Sequence, residues 1–164
     1  MGIDRRRFLA VTLAGTVMAG CSKRTGPAPP GTVFPDFQLT DIEGQLHTRA
    51  DYAANPLLVN FWATWCAPCR TEMPDLEITR QRYAAHGLRV LAFSVDDDVH
   101  PVREFQLKMK LGFPLIVDTG RTLSQSLNVR TFPTTFLVAR NGLIGETLLG
   151  PRPWPDYSGI PALL

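Results

Sequence analysis

The sequence predicts one α/β domain in which a mixed β-sheet is flanked by helices. Two dense apolar runs, at 57–62 and 88–95, have the composition of strands covered on both faces. The segment 66–86 between them suits a helix, so these elements form a strand–helix–strand unit with parallel strands. Later, Asn141-Gly142 joins two strand-like segments, a pair favoured where both turn residues need positive φ, and this hairpin makes the late strands antiparallel. A chain of 164 residues encloses one core of ordinary size but hardly two.

The elements before the second buried strand are marked by turn residues. Residues 37–39 and 45–47 flank a turn that ends at Gly44, which predicts a short hairpin. The long helix is expected to end at Gly87, which suits a left-handed stop. Pro74 lies inside that helix and should kink its axis rather than end it, because helix-compatible sequence continues well beyond it.

The second half of the chain alternates short helices and strands. Pro101 is placed to open a helix and Gly112 to close it. Residues 115–117 suit a short strand, and Leu123 and Leu127, four positions apart, mark another helix. The remaining predicted elements are strands at 134–139 and 143–149 and, at most, a short helix in the proline-rich tail 151–164.

Charge and cysteine content exclude several classes of protein. Seventeen Lys and Arg against fifteen Asp and Glu leave a formal charge of +2 without a long block of either sign. Nucleic-acid binding is therefore disfavoured, because no stripe of charge is available to neutralise phosphates. The three cysteines, Cys21, Cys66 and Cys69, are too few for a disulfide framework or a four-thiolate zinc site. A redox or nucleophilic role is favoured.

The first twenty residues have the pattern of an export signal. Three arginines, at positions 5–7, precede a largely apolar run at 8–19. The run is too short for a membrane span, which needs roughly 20 apolar residues, and it is typical of a signal peptide. Residues 4–9 resemble a twin-arginine export signal, and an ordinary basic start is the alternative.

Cys21 follows small residues in a pattern that resembles a bacterial lipoprotein box. Lipidation of Cys21 would anchor the protein at the periplasmic or extracytoplasmic face of a membrane, and the alternative is a loose thiol after an ordinary secretory peptide. The predicted organisation is a signal peptide at 1–20, a lipidated cysteine with a Pro-rich tether at 21–32, and a domain at 33–164.

Cys66 and Cys69 are placed for redox chemistry between a buried strand and a helix. Cys66 falls at the helix N-terminus, where unpaired amides and the helix dipole favour a thiolate, so it is predicted to be the attacking sulfur. Cys69 lies about 60° further round the helix, close enough for a disulfide but deeper inside, as suits a resolving sulfur. Pro68 stiffens the dipeptide between them, and that dipeptide influences the reduction potential.

Half of a zinc site is the alternative interpretation of this cysteine pair. No second cysteine pair accompanies it, and the chain's histidines, His47, His86 and His100, have no ligand spacing. The sequence therefore favours redox chemistry and predicts no metal at the site.

The segment Trp65-Cys66-Ala67-Pro68-Cys69, between strand and helix, resembles the thioredoxin superfamily, and in particular its membrane-tethered TlpA/ResA-type thiol-disulfide reductases. The resemblance covers about residues 33–150 and implies a thioredoxin-like sheet with an added N-terminal hairpin and a helix–strand insertion, the layout related to AhpC/TSA proteins. It implies no bound cofactor. Further matching segments are Phe34-Pro35-Asp36-Phe37, Leu58 to Thr64, Glu72-Met73-Pro74 and Phe132-Pro133-Thr134-Thr135-Phe136.

The same resemblance implies a set of substrate-binding residues. Pro133 matches the family's cis-proline, which packs against the active disulfide and offers backbone to an extended substrate segment; a plain loop proline is the alternative. Phe132 and Trp65 are expected to form an apolar rim around the cysteines, although either ring can simply cap the core. Thr131 and Pro68 complete the predicted substrate-binding set.

A proton acceptor is also implied. Asn60 stands where thioredoxin carries a buried carboxylate, and an amide cannot titrate. Glu72 matches a cavity glutamate of the ResA-like branch and is predicted to accept the proton of Cys69. The alternative is a solvated carboxylate paired with Arg70 or Arg80.

These features together predict a monomeric enzyme that reduces disulfides of partner proteins and is itself re-reduced by a membrane dithiol donor. Maturation of cytochrome c or of copper-site cysteines would suit such a reductant.

Two other functions stay open. A peroxiredoxin-like peroxidase would need a Pro-x-x-x-Thr-x-x-Cys site, which Thr64 and the cysteine pair do not supply, and a metal chaperone would want nearby His or Met ligands.

Overall fold

The computed structural model describes residues 26–164. Its strands are β1 (Gln38–Thr40), β2 (Leu46–Thr48), β3 (Leu57–Trp62), β4 (Arg89–Ser94), β5 (Leu115–Val117), β6 (Thr134–Val138) and β7 (Ile144–Leu149). Its α-helices are α1 (Ala67–Tyr83), α2 (Val99–Met109), α3 (Thr122–Ser126) and α4 (Gly159–Leu163), with 3₁₀ turns at Arg49–Tyr52, Ala84–His86, Thr119–Arg121 and Trp154–Asp156. The predicted signal peptide and Cys21 lie outside the described residues.

The main sheet has five strands in the order β5-β4-β3-β6-β7. Strands β3, β4 and β5 run parallel, whereas β6 is antiparallel to β3 and β7 is antiparallel to β6. Strands β1 and β2 form a separate hairpin, which touches the main sheet through a bridge between Asp41 and Ile116. The predicted mixed sheet, its parallel pair and the N-terminal hairpin are confirmed.

Strand β3 is the centre of the domain, and all six of its residues are buried. Its odd-numbered residues pack into one core cluster with Phe93 and Phe136, while Leu58 and Trp62 belong to a second cluster with Met73 and Leu76 of α1. Since side chains alternate along a strand, Asn60 falls on the same face as Leu58 and Trp62. A polar side chain is thereby placed beneath α1.

Helix α1 ends close to its predicted boundary. It continues through Pro74 to Tyr83, and the 3₁₀ turn extends it to His86. Gly87 has φ 82°, which confirms the left-handed stop.

Helix α2 differs from its predicted bounds at both ends. It begins at Val99 because the Asp98 side chain caps it by accepting a hydrogen bond from the His100 amide at 3.0 Å. Pro101 therefore lies within the first turn and does not open the helix. The helix ends at Met109, and its C-cap residue Lys110 adopts the left-handed conformation at φ 53°, so Gly112 is not its stop.

The turn between β6 and β7 also differs from the expected form. Gly142 has φ 83°, but Asn141 does not have a positive φ. Instead, the Asn141 side chain accepts a hydrogen bond from the Leu143 amide, and Ala139 and Leu143 close the hairpin through their backbone. The expectation of positive φ at both turn residues is wrong, because the asparagine side chain supplies the local contact.

The segment predicted as a tether is in contact with the domain from Gly26 onwards. The Ala28 amide donates to the Leu127 carbonyl at 2.8 Å, and the Gly31 amide donates to the Ile144 carbonyl at 2.7 Å. The packed part of the molecule thus extends before the predicted boundary at residue 33. Within residues 26–164, none of the helices has the length and apolarity needed to cross a membrane.

Candidate active site

Cys66 and Cys69 form a disulfide at the start of α1. Cys66 is the N-cap residue, and its sulfur accepts a hydrogen bond from the Cys69 amide at 3.3 Å. Cys66 is 7% exposed, whereas Cys69 is wholly buried. Both cysteines are therefore buried, and Cys66 keeps a small exposed fraction that Cys69 lacks.

The loop that carries Cys66 is held by a buried carboxylate. Asp96 Oδ2 accepts a hydrogen bond from the Thr64 amide at 2.9 Å, and Asp96 Oδ1 accepts one from the Thr64 hydroxyl at 2.7 Å. Ser94 donates to the same carboxylate at 2.5 Å. On the other side, the Arg70 guanidinium donates to the Thr64 carbonyl at 2.8 Å. The residues before Cys66 are thus fixed from β4 and from α1.

An aromatic pair lies beside the cysteines. The rings of Trp65 and Phe132 meet edge to face with their centroids 5.8 Å apart. Trp65 is 61% exposed and so does not cap the core, whereas Phe132 is half-buried and packs against the cluster that contains both cysteines. The Phe132–Pro133 peptide bond is cis, which confirms that part of the prediction. Pro68 is exposed in the first turn of α1.

Thr131 is exposed on the chain leading to Pro133. Its carbonyl accepts a hydrogen bond from the Thr134 hydroxyl at 2.7 Å, which ties this short segment to the start of β6. The carbonyl of Pro133 accepts a hydrogen bond from the Gly150 amide at 2.9 Å. The cis-proline is therefore linked to the first residue after β7.

Glu72 is buried one turn after Cys69, with 3% of its surface exposed. Its Oε1 accepts a hydrogen bond from Asn60 Nδ2 at 2.8 Å. Its Oε2 accepts from Trp154 Nε1 at 2.9 Å and from the Arg152 amide at 3.3 Å. Burial raises the pKa of Glu72 above its usual value, and the hydrogen bonds from these donors oppose that rise only in part.

The alternative ion pairs for Glu72 are not formed. Arg70 bonds to the Thr64 carbonyl, and Arg80 pairs with Glu77 at 2.6 Å. The interpretation of Glu72 as a solvated helix carboxylate is therefore wrong. A buried carboxylate held by three donors, one from β3 and two from the tail, takes its place.

Three residues of this region were not predicted from the sequence. Trp154 and Arg152 lie in the proline-rich tail, and they reach Glu72 across 82 and 80 positions of sequence. Asp96 follows the carboxyl end of β4, next to the carboxyl end of β3, and this placement is a signal that could have been used. For Trp154 and Arg152, the sequence of the tail contains no comparable signal, since Trp154 stands between two prolines without a recognisable pattern.

No group of three or more His, Cys, Asp or Glu side chains within residues 26–164 is arranged to hold a metal ion. His47 bonds to Asp41 at 2.9 Å and to the Tyr52 hydroxyl at 2.5 Å, and it ties the N-terminal hairpin to the turn after it.

Comparison with known proteins places this geometry in a family. Residues 30–147 match the AhpC/TSA family. The chain is 36% identical over 120 residues to the thiol-disulfide oxidoreductase ResA of Geobacillus kaustophilus, a match that covers 73% of this chain and 69% of that protein. It is 32% identical to ResA of Geobacillus thermodenitrificans over 143 residues, which cover 87% of this chain and 82% of that protein.

Solved structures agree with these sequence matches. A putative thiol:disulfide interchange protein DsbE from Chlorobium tepidum superposes with a TM-score of 0.75 at 27% identity, covering 83% of this chain and 95% of that one. StoA from Bacillus subtilis superposes with a TM-score of 0.64 at 25% identity, covering 75% and 92% of the two chains. The chain therefore belongs to the AhpC/TSA family, within the ResA-like part of the thioredoxin superfamily, and is a thiol-disulfide oxidoreductase.

Proposed function

We propose that the protein reduces disulfides in partner proteins outside the cytoplasm. The observation that carries the proposal is the unequal burial of the two disulfide-bonded cysteines, since Cys66 keeps 7% exposure and Cys69 has none. An enzyme that must first capture a partner and then release it needs this arrangement.

The reaction follows from that geometry. In the reduced protein, the Cys66 thiolate attacks one sulfur of the partner's disulfide, forms a mixed disulfide and expels the other sulfur as a thiolate. Cys69, once deprotonated, attacks Cys66 Sγ, and the bond between Cys66 and the partner breaks. The partner gains two electrons and leaves as a dithiol after protonation. The protein is left with the Cys66–Cys69 disulfide.

Glu72 is proposed to receive the proton that Cys69 loses. It follows Cys69 by one turn of α1, it is buried with it, and burial raises the pKa of its carboxyl. Since Asn60 cannot titrate, Glu72 is the carboxylate available on this face of the central strand. Its hydrogen bonds come from neutral donors, Asn60 Nδ2, Trp154 Nε1 and the Arg152 amide.

The partner is proposed to bind over the surface around Cys66. Trp65 supplies an exposed ring that packs against the half-buried Phe132, and Pro68 lies in the exposed first turn of α1. The backbone around Thr131 and Pro133 would pair with an extended segment of the partner. Aromatic side chains of this kind contribute strongly when an interface covers them.

The cellular setting is proposed from the N-terminal pattern. Residues 1–20 would direct export, and lipid on Cys21 would hold the domain at the membrane as a monomer. Electrons would then come from a membrane dithiol donor, because the oxidised enzyme must be reduced again in an oxidising compartment. Suitable partners are the cysteines of apocytochrome c or of copper sites before they bind metal.

Insulin reduction with dithiothreitol tests the activity. Cys66→Ser should abolish it, Cys69→Ala should accumulate mixed disulfides, and Cys21→Ser serves as the matched control that keeps it. Mass spectrometry of the proteins trapped on Cys69→Ala would identify the partners. The proposal fails if the wild-type chain binds copper but exchanges disulfides poorly, or if it consumes peroxide with thiols and leaves insulin oxidised.

A further inference from the structure

The end of the chain closes the site around Glu72. After β7, the segment 150–156 returns to α1, and its Trp154 is wholly buried in the core cluster that also contains both cysteines. The indole Nε1 and the Arg152 amide both donate to Glu72 Oε2. The family match ends at residue 147, so these donors come from beyond the matched part of the chain.

The groups that face Glu72 are few, and the hydrogen bonds come from neutral donors. Asn60 approaches from β3, Trp154 and the Arg152 backbone approach from the tail, and Cys69 lies one turn back on α1. The Arg152 guanidinium adds a more distant positive charge and itself donates to the Pro151 carbonyl at 3.0 Å. Cys69 and Arg152 are therefore the titratable or charged side chains to consider around this carboxyl.

The three hydrogen-bond donors to Glu72 differ in whether they can also bond to its neutral, protonated form. An indole N–H and a backbone N–H only donate, so both favour the charged carboxylate. Asn60 has an amide oxygen as well, and Asn60 Oδ1 is buried without a hydrogen-bond partner among residues 26–164. Rotation of that amide would let Asn60 Oδ1 accept a hydrogen bond from the hydroxyl of a neutral Glu72. The β3 side of the site accommodates both forms, whereas the tail side favours one.

We propose that Trp154 is a positioning residue for disulfide exchange, which acts by holding Glu72 through its indole N–H and thereby fixes the pH above which Cys69 can resolve the mixed disulfide. This inference rests on the proposed role of Glu72 as the acceptor of the Cys69 proton. It assigns to the C-terminal tail a part in the resolving step.

The test follows the two steps of exchange separately. Reduced full-length protein carrying Cys21→Ser is mixed with 5,5′-dithiobis(2-nitrobenzoate), which releases one coloured thiolate when Cys66 attacks and a second when Cys69 resolves. The rate of the second phase is recorded against pH in a stopped-flow instrument. Cys69→Ala should lose the second phase, which establishes its assignment.

Trp154→Phe removes the donor and keeps an aromatic ring. The acid limb of the second phase should move up by about one to two pH units, because a hydrogen bond to a charged group is lost. Trp62→Phe is the matched control, since Trp62 is also wholly buried but its Nε1 has no hydrogen-bond partner among the described residues. Its acid limb should stay in place.

A double variant separates this inference from its premise. If Glu72→Gln leaves the profile unchanged, the role of Glu72 is wrong. If Glu72→Gln removes the limb while Trp154→Phe leaves it unmoved, the role of Glu72 stands and that of Trp154 is wrong. In the expected case, Trp154→Phe adds nothing in the Glu72→Gln background.

A measurement on the unsubstituted site covers the case in which Trp154→Phe does not fold. In the reduced protein, the indole N–H resonance of Trp154 should shift with the same midpoint as the acid limb, while those of Trp62 and Trp65 do not. If the chemical shift of the Trp154 indole N–H does not change with pH around this midpoint, the inference is overturned.

Discussion

Asp96 holds the loop before the reactive cysteine through Thr64, whose amide and hydroxyl both donate to its carboxylate. The contact joins the carboxyl end of β4 to the residues that lead into Cys66. Asp96 is 7% exposed, so these hydrogen bonds are shielded from water. The position of Cys66 thus depends on a residue that lies outside the cysteine pair.

Asp96→Asn should destabilise the protein by about 1–3 kcal/mol, because one carboxylate oxygen is replaced by a donor that faces other donors. Urea unfolding of the oxidised protein measures this loss. Asp97→Asn is the control, since Asp97 is exposed and lies 3.7 Å from Arg121 in a surface ion pair. Equal stability of the two variants would contradict the bracing role of Asp96.

Trp65→Ala should lower kcat/KM for insulin about fivefold to tenfold, because the exposed ring supplies binding area to a protein partner. The first phase with 5,5′-dithiobis(2-nitrobenzoate) should change little, since a small disulfide covers less of this surface. Leu107→Ala is the control, as Leu107 is 73% exposed on α2. A matching loss in that variant would show that Trp65 has no special role.

Glu72→Gln should make the folded protein more stable at neutral pH and leave it little changed in acid. Burial raises the pKa of Glu72 above the usual 4.5, and the hydrogen bonds offset this only in part. The favourable contribution is therefore complete below the unfolded pKa and is lost as pH rises through the folded pKa. Unfolding by urea at several pH values measures the difference between variant and wild type.

Glu77→Gln supplies a control of opposite sign. Desolvation acts to raise the pKa of Glu77, but hydrogen bonds from Arg80 and the Gly112 amide lower it overall. Its contribution is present above the unfolded pKa and disappears as pH falls through the folded pKa, so this variant should be less stable than wild type at neutral pH. The same trend in both variants would contradict the assigned shifts.

Asn60→Asp should place a second carboxyl 2.8 Å from Glu72. Two carboxylates this close share a proton, which raises the apparent pKa of the pair. The acid limb of the resolving step should move up by at least about one pH unit. Asn55→Asp is the matched control, because the Asn55 side chain donates to the Gly87 carbonyl and should leave the limb in place.

Local patterns in the sequence account for much of the fold. The apolar run at 57–62 has the same bounds as β3. A strand that is buried on both faces is apolar along its whole length, here with the exception of Asn60, so its ends can be recognised in the sequence. Gly87 marks the end of the α1 region, since a left-handed stop favours glycine. The bounds of α2 were missed because Asp98 and Lys110 act through cap geometry, which the apolar spacing does not record.

The site was predicted only in part, for a different reason. Cys66 and Cys69 are neighbours in sequence, so their spacing reveals their pairing. The partners of Glu72 and of Thr64 lie 82 and 32 positions away, and such contacts leave no periodic signal in the chain. Only the packed tail and the adjoining strand ends bring them together.

The complete burial of Cys69 limits the order in which partners can meet the enzyme. Under the proposed mechanism, both the protein that delivers electrons and the protein that receives them are expected to approach through Cys66, on one and the same patch of surface. They cannot bind at once, so each must depart before the other arrives. The steady-state kinetics should be ping-pong, with donor and acceptor competing for a single docking position.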